Sequence, residues 1–174
     1  MKIGIMMAGL MLAAVVVIGC KKEASTPAAA TESLPADLFT ATPPPGAIDV
    51  IAARQTAQDG QPIVIKGRIA GSKEPLADNR AIMTIADLSL PTCDTIPGDT
   101  CPTPWDICCE PTSEIAAKLV SVQVVSADGR PVKASLRGAG GIAPMKQVVI
   151  AGTVKLLPGS DVPVLEAKEI YVTP

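Results

Sequence analysis

The sequence contains no histidine, and its aromatic residues number three among 174: Phe39, Trp105 and Tyr171. Without histidine the chain lacks the side chain that most often acts as general base near neutral pH and most often ligates a metal. Three scattered aromatics offer little on which nucleic-acid bases could stack. The formal net charge is only −2, so bulk electrostatics favour neither nucleic acid nor anionic lipid. No nucleophile–base pair is visible, and the serines carry no recognisable elbow. Gly138-Ala139-Gly140-Gly141 lacks the following Lys-Ser/Thr of a phosphate loop and reads as a turn. Asp87, Glu166 and Glu169 read as solvated positions on strand faces. An enzyme is therefore the disfavoured class, with no catalytic residue to name and no cofactor implied.

What is present begins at the N-terminus. Lys2 is followed by roughly sixteen mostly apolar residues and the small residue Gly19, the layout of a secretory signal peptide. The run falls short of the about 20 apolar residues that a spanning helix needs. Val17-Ile18-Gly19-Cys20 resembles the lipobox of bacterial lipoproteins. The resemblance implies that residues 1–19 are removed and that Cys20 is acylated, palmitate included, to become the new N-terminus. Two or more acyl chains on Cys20 would hold the protein on a bilayer. Lys21, rather than an aspartate, is similar to the pattern that sends such proteins to the outer membrane. The expected address is thus the bacterial cell membrane or outer membrane, with the domain extracytoplasmic and most naturally periplasmic.

About 155 residues then remain, enough for one domain and a linker, with 14 basic and 17 acidic side chains because Lys2 is lost. Residues 20–45 are rich in Ala, Thr, Ser and Pro, end in Pro43-Pro44-Pro45 and show no apolar periodicity. This composition predicts a disordered tether with a reach on the order of 30 Å. The domain is expected over residues 46–174, with a short helix capped by Asp49 and running to Ala57.

Period-two alternation predicts strands at Ile63–Ile69, Arg80–Leu90, Leu119–Val125, Gln147–Leu156 and Val164–Val172. Gly67 predicts a bend in the first strand, and the alternation of the last slips near Glu169, where a bulge is expected. Asp128-Gly129 is a hairpin signal, with Val132, Ala134 and Leu136 as partner or extension. Short strands with glycine bends and few helices indicate an all-β protein, a small closed five-stranded barrel.

The strand order and texture resemble an OB-fold over about residues 60–174, closest to the versions fused to class II aminoacyl-tRNA synthetases and in bacterial helicase-type modules. The resemblance rests on Ile63–Ile69 with its interior glycine, Ala86-Asp87-Leu88, Val120–Val125 and Ala151-Gly152-Thr153. It implies a ligand face on strands two and three, where this family commonly binds nucleic acid or oligosaccharide. Here those strands present Met83, Ile85, Ser121 and Gln123, so nucleic acid is a disfavoured partner and a scaffold is the plainer reading.

Between strands two and three lies a Cys/Pro-rich insertion. Residues 91–112 hold five prolines and Cys93, Cys101, Cys108 and Cys109, with Asp94, Asp99, Asp106 and Glu110 and, just beyond, Glu114. No Lys or Arg occurs between Arg80 and Lys118, and Trp105 sits in the middle. In an oxidising compartment an even cysteine set predicts two disulfides. Three pairings exist; the favoured ones join Cys108 and Cys109 to different partners, Cys93 or Cys101. The sharper alternative is a metal site of the same four cysteines, taking Zn²⁺ or a soft ion such as Cu(I). The usual Cys-x-x-Cys zinc spacing is missing. Thiol exchange through Cys108-Cys109 is a third reading, without the helix-end context that activates such thiols. The leading expectation is a lipid-anchored binding or structural interaction module that presents barrel or loop to an envelope protein or polymer. A metal-ion or small-ligand binder using the acidic cysteine loop follows it, and an oligonucleotide binder comes third.

Overall fold

A computed structural model describes residues 32–160 and 162–174. The expected signal peptide, Cys20 and most of the tether lie outside these residues. The described elements are β1 (Ile48–Asp49), α1 (Val50–Thr56), β2 (Pro62–Ile69), β3 (Ile82–Ala86), α2 (Thr112–Ala117), β4 (Leu119–Gln123), β5 (Gln147–Leu156) and β6 (Pro163–Val172). No helix among them is long and apolar enough to cross a membrane.

Five strands close a ring in the order β2-β3-β4-β6-β5, with β2 returning to β5. All contacts are antiparallel except β4 with β6, which run parallel. This is the small, closed, five-stranded all-β barrel expected from the strand pattern, and closure leaves the ring with no free edge. The two-residue β1 lies parallel on β2 outside the ring. Alternate residues point inward, among them Ile65, Ile69, Met83, Ile85, Val120, Val122, Val148, Ile150 and Leu165, and form one aliphatic core. Gly67 lets two layers meet: a Cβ there would run into the Ile85 side chain and the Ala86 carbonyl. On β6, Ala151 of β5 pairs with Glu169 and Gly152 with Ala167, so Lys168 is an extra residue. That is the bulge expected near Glu169, and it explains why buried Ala167 and Ile170 stand three apart instead of two.

Several expectations need correction. Met83 and Ile85 do not lie on the presented face; they are 1% and 0% exposed and fill the barrel, leaving Ile82, Thr84, Ser121 and Gln123 facing outward. The second strand ends at Ala86, because the chain turns there through a Leu90 N–H bond to the Asp87 carbonyl. Residues 132–136 form no strand. The hairpin at Asp128-Gly129 exists, with Ser126 N–H bonded to Arg130 O at 2.9 Å, but beyond it Val132 and Leu136 drop straight into the core.

The ordered unit also begins before residue 46. Leu38 is 0% exposed and belongs to the main core, with Leu34 and Phe39 packed beside it. The Leu38 carbonyl accepts Ile170 N–H at 2.7 Å, and Thr40 N–H donates back to Ile170 O at 3.0 Å. Gly140, at φ 54°, leaves room for the Phe39 ring. Glu32 N–H bonds to Lys133 O and its carboxylate accepts Lys133 N–H at 3.1 Å. Residues 32–40 are therefore a strap along β6, and the expected tether is shorter at its C-terminal end.

Asp49 makes no side-chain cap on α1; its carboxylate lies 3.4 Å from Lys66 Nζ. The cap comes from Asp87, whose Oδ2 accepts Ile51 N–H at 3.1 Å while Oδ1 accepts Ser89 N–H at 2.9 Å. Asp87 is 3% exposed, not a solvated strand residue. Burial pushes its carboxyl upward, but the Ser89 and Ile51 N–H bonds outweigh this and hold it below the usual carboxylate range.

Candidate metal centre

The cysteine loop leaves the barrel at the end of β3 and rejoins it through α2 at the start of β4. Its base is a second, small apolar cluster of Ala70, Ala86, Leu90 and Ile107, against which Trp105, Ile115 and Leu119 pack. Two limbs of the loop pair: Cys93 N–H donates to Asp106 O at 3.0 Å, and Asp94 N–H to Pro104 O at 3.4 Å. This pairing brings residues ten or more apart in sequence face to face.

Three further contacts fix the loop to the barrel. Arg68 Nη1 on β2 donates to Thr92 Oγ1 at 3.0 Å, and that fully buried hydroxyl donates to Asp94 Oδ1 at 2.5 Å. Trp105 Nε1 donates to Lys73 O at 3.0 Å, and Gly71 N–H to Trp105 O at 3.1 Å. Arg68 and Thr92 carried no sequence signal for this role; only the tertiary fold reveals it.

All four cysteines are free. The expected disulfides are not formed among the described residues. Cys93 Sγ and Cys108 Sγ stand 3.9 Å apart, a non-bonded separation, against about 2.05 Å in a disulfide. The pair is nonetheless one of the cross-loop partnerships that the sequence favoured. Cys93 is 2% exposed, Cys101 is half-buried, and Cys108 and Cys109 are exposed.

Donor atoms converge in three sets, each with its members within 4.8 Å of one another: Cys93, Cys108 and Cys109; Cys93, Asp99 and Cys101; and Cys101, Asp106 and Cys108. All four candidate cysteines thus take part. Asp99 and Asp106 join them, picked out from the wider acidic run only by the folded loop. Asp99 Oδ1 accepts Cys101 N–H at 2.6 Å and its Oδ2 accepts from Cys109 Sγ at 3.5 Å.

The thiols differ. Burial, followed by the neighbouring Cys108 and Cys101 sulfurs, pushes Cys93 far up, so the metal-free thiol is protonated. The Thr103 hydroxyl and the Thr103 backbone lower Cys101. The hydrogen bond to Asp99, then Cys108, raises Cys109. A cation bound there would displace the thiol protons, since thiolates bind metal and thiols do not.

No protein-family model matches the chain, and no curated protein matches it significantly.

Proposed function

We propose that the protein is a lipid-anchored, extracytoplasmic lipoprotein whose barrel is a rigid stage for a thiolate metal-binding loop. The observation that carries this reading is the meeting of Cys93, Cys108 and Cys109 within 4.8 Å. The Cys93–Cys108 separation of 3.9 Å is close to the sulfur–sulfur edge of about 3.8 Å that follows from a tetrahedral ion with 2.3 Å zinc–sulfur bonds. Sulfur donors select zinc and softer ions over magnesium or calcium. The contacts of Arg68, Thr92 and Trp105 support the loop from behind, as a preorganised donor set requires. The barrel's outward strands, with Ser121 and Gln123 in place of stacking aromatics, give less support to an oligonucleotide partner.

The full chain, reduced, stripped of metal and titrated with Zn²⁺ against a competing chromophoric chelator, tests the proposal. Binding with a Kd of about 50 nM or tighter is expected, because structural thiolate zinc sites contribute about 10–16 kcal/mol. Trp105 emission should change with loading, and Cys93→Ser should abolish tight uptake. A metal-free chain that takes up no zinc, and whose mass unreduced is four hydrogens below the thiol form, would overturn the reading in favour of two disulfides.

A further inference from the structure

Across the three sets Cys93, Cys101 and Cys108 lie pairwise within 4.8 Å, and Cys109 joins Cys93 and Cys108 but not Cys101. Cys101 and Cys109 share none of the three convergent sets, and no set among the described residues holds four donors. A single tetrahedral ion bound by four thiolates needs all its sulfur–sulfur edges near about 3.8 Å. Two ions that share a donor need only that each smaller set closes, and the sets here do.

We infer that the loop holds a pair of divalent, zinc-class ions with the Cys93 thiolate shared between them. The inference rests on the thiolate-binding reading above and deepens it. One ion sits among Cys93, Cys108 and Cys109, the other among Cys93, Asp99 and Cys101. Asp106 completes the pair: its carboxylate lies within 4.8 Å of Cys101, which belongs to the second set, and of Cys108, which belongs to the first. Its carboxylate is therefore within reach of both ions.

Three independent features agree. Cys93, the shared donor, is the one sulfur cut off from water, and a bridging thiolate spends its lone pairs on two metals instead of on solvent. Cys108 and Cys109, adjacent and exposed, lie at the rim and can both serve as outer ligands of an ion anchored on the buried Cys93. The third feature is charge. Four thiolates and the carboxylates of Asp99 and Asp106 carry six negative charges; one divalent ion leaves four of them and two ions leave two. Residues 81–117 hold no Lys or Arg, and Arg68, the cation that reaches the loop, donates to Thr92 and not to a candidate ligand; like charges a few ångströms apart repel strongly away from bulk water. Mixed sulfur and carboxylate donors also suit zinc-class ions better than Cu(I), which prefers sulfur alone.

The test uses the full chain in detergent, with Cys20→Ser so that only the loop sulfurs are free, loaded with ¹¹³Cd²⁺ as the zinc surrogate. Native mass spectrometry should count two cadmium ions per chain. Cadmium NMR should show two resonances, each split by the other through the common sulfur. Cys109→Ser, a change at an exposed position, should displace one ion and leave the other. Cys93→Ser should erase the splitting. One cadmium per chain with a single resonance would overturn the paired site and leave single-ion binding standing. Two unsplit resonances would overturn the shared thiolate. No cadmium at all would overturn the metal reading itself.

Discussion

Replacing Leu38 by alanine asks whether residues 32–40 belong to the folded unit. Leu38 is completely buried, in the same core as Ile150 and Ile170; its carbonyl accepts Ile170 N–H, and Thr40 N–H donates back to Ile170 O. Truncation removes buried methyl groups from a site that the hydrogen bonds prevent from collapsing freely. The expected loss is about 3 kcal/mol, in the middle of the 2–5 kcal/mol range for buried leucines. For a unit of this size that corresponds to a fall in Tm of about 10 °C. Urea unfolding followed by circular dichroism measures it: the midpoint should drop while the slope stays constant, since the surface exposed on unfolding hardly changes. Thr42→Ala, on the exposed stretch just beyond, is the control and should change nothing measurable. A Leu38→Ala loss under about 0.5 kcal/mol, the size expected of a surface position, would refute the strap and return these residues to the tether.

Acid should weaken the fold partly through Asp87. Its carboxyl is held below the ordinary range, so its contribution is complete above about pH 4 and is lost as the pH falls through the depressed folded value. Urea midpoints between pH 7 and pH 2 should fall less steeply in Asp87→Asn than in the parent, and identical slopes would remove Asp87 from the account. In bacterial cells, a clickable palmitate analogue should label the chain, and Cys20→Ser should abolish the label; labelling that survives this change would sink the proposed anchor.

The barrel was legible because burial follows the pleat. Ile63 to Ile69, Val120 to Val124 and Gln147 to Leu156 alternate cleanly, and the slip near Glu169 marked a real extra residue at Lys168. Leu38 was not legible: Leu34, Leu38 and Phe39 in an Ala/Thr/Pro-rich stretch set no strand period, and only the place of Leu38 beside Ile170 shows what it does. Asp87 misled for a related reason. An aspartate after a strand ordinarily faces water, whereas here a helix distant in sequence presents it with an N–H group. In the loop, the cysteines and acids could be named from the chain, but their grouping could not. The Cys93 to Asp106 backbone bond, which folds one limb onto the other, decides which sulfur meets which carboxylate.

The β3–β4 ribbon has one more consequence. Ala86 pairs with Leu119 at the end from which the cysteine loop springs; Ile82 pairs with Gln123 at the other, where Ala81 and Val124 reach Val132 and the neighbouring Lys133 grips Glu32. Five residues of strand, about 17 Å, hold the two ends apart. Any mooring upstream of residue 32 would therefore enter at the pole opposite the cysteine loop and leave the sulfur-bearing pole unobstructed by the point of attachment.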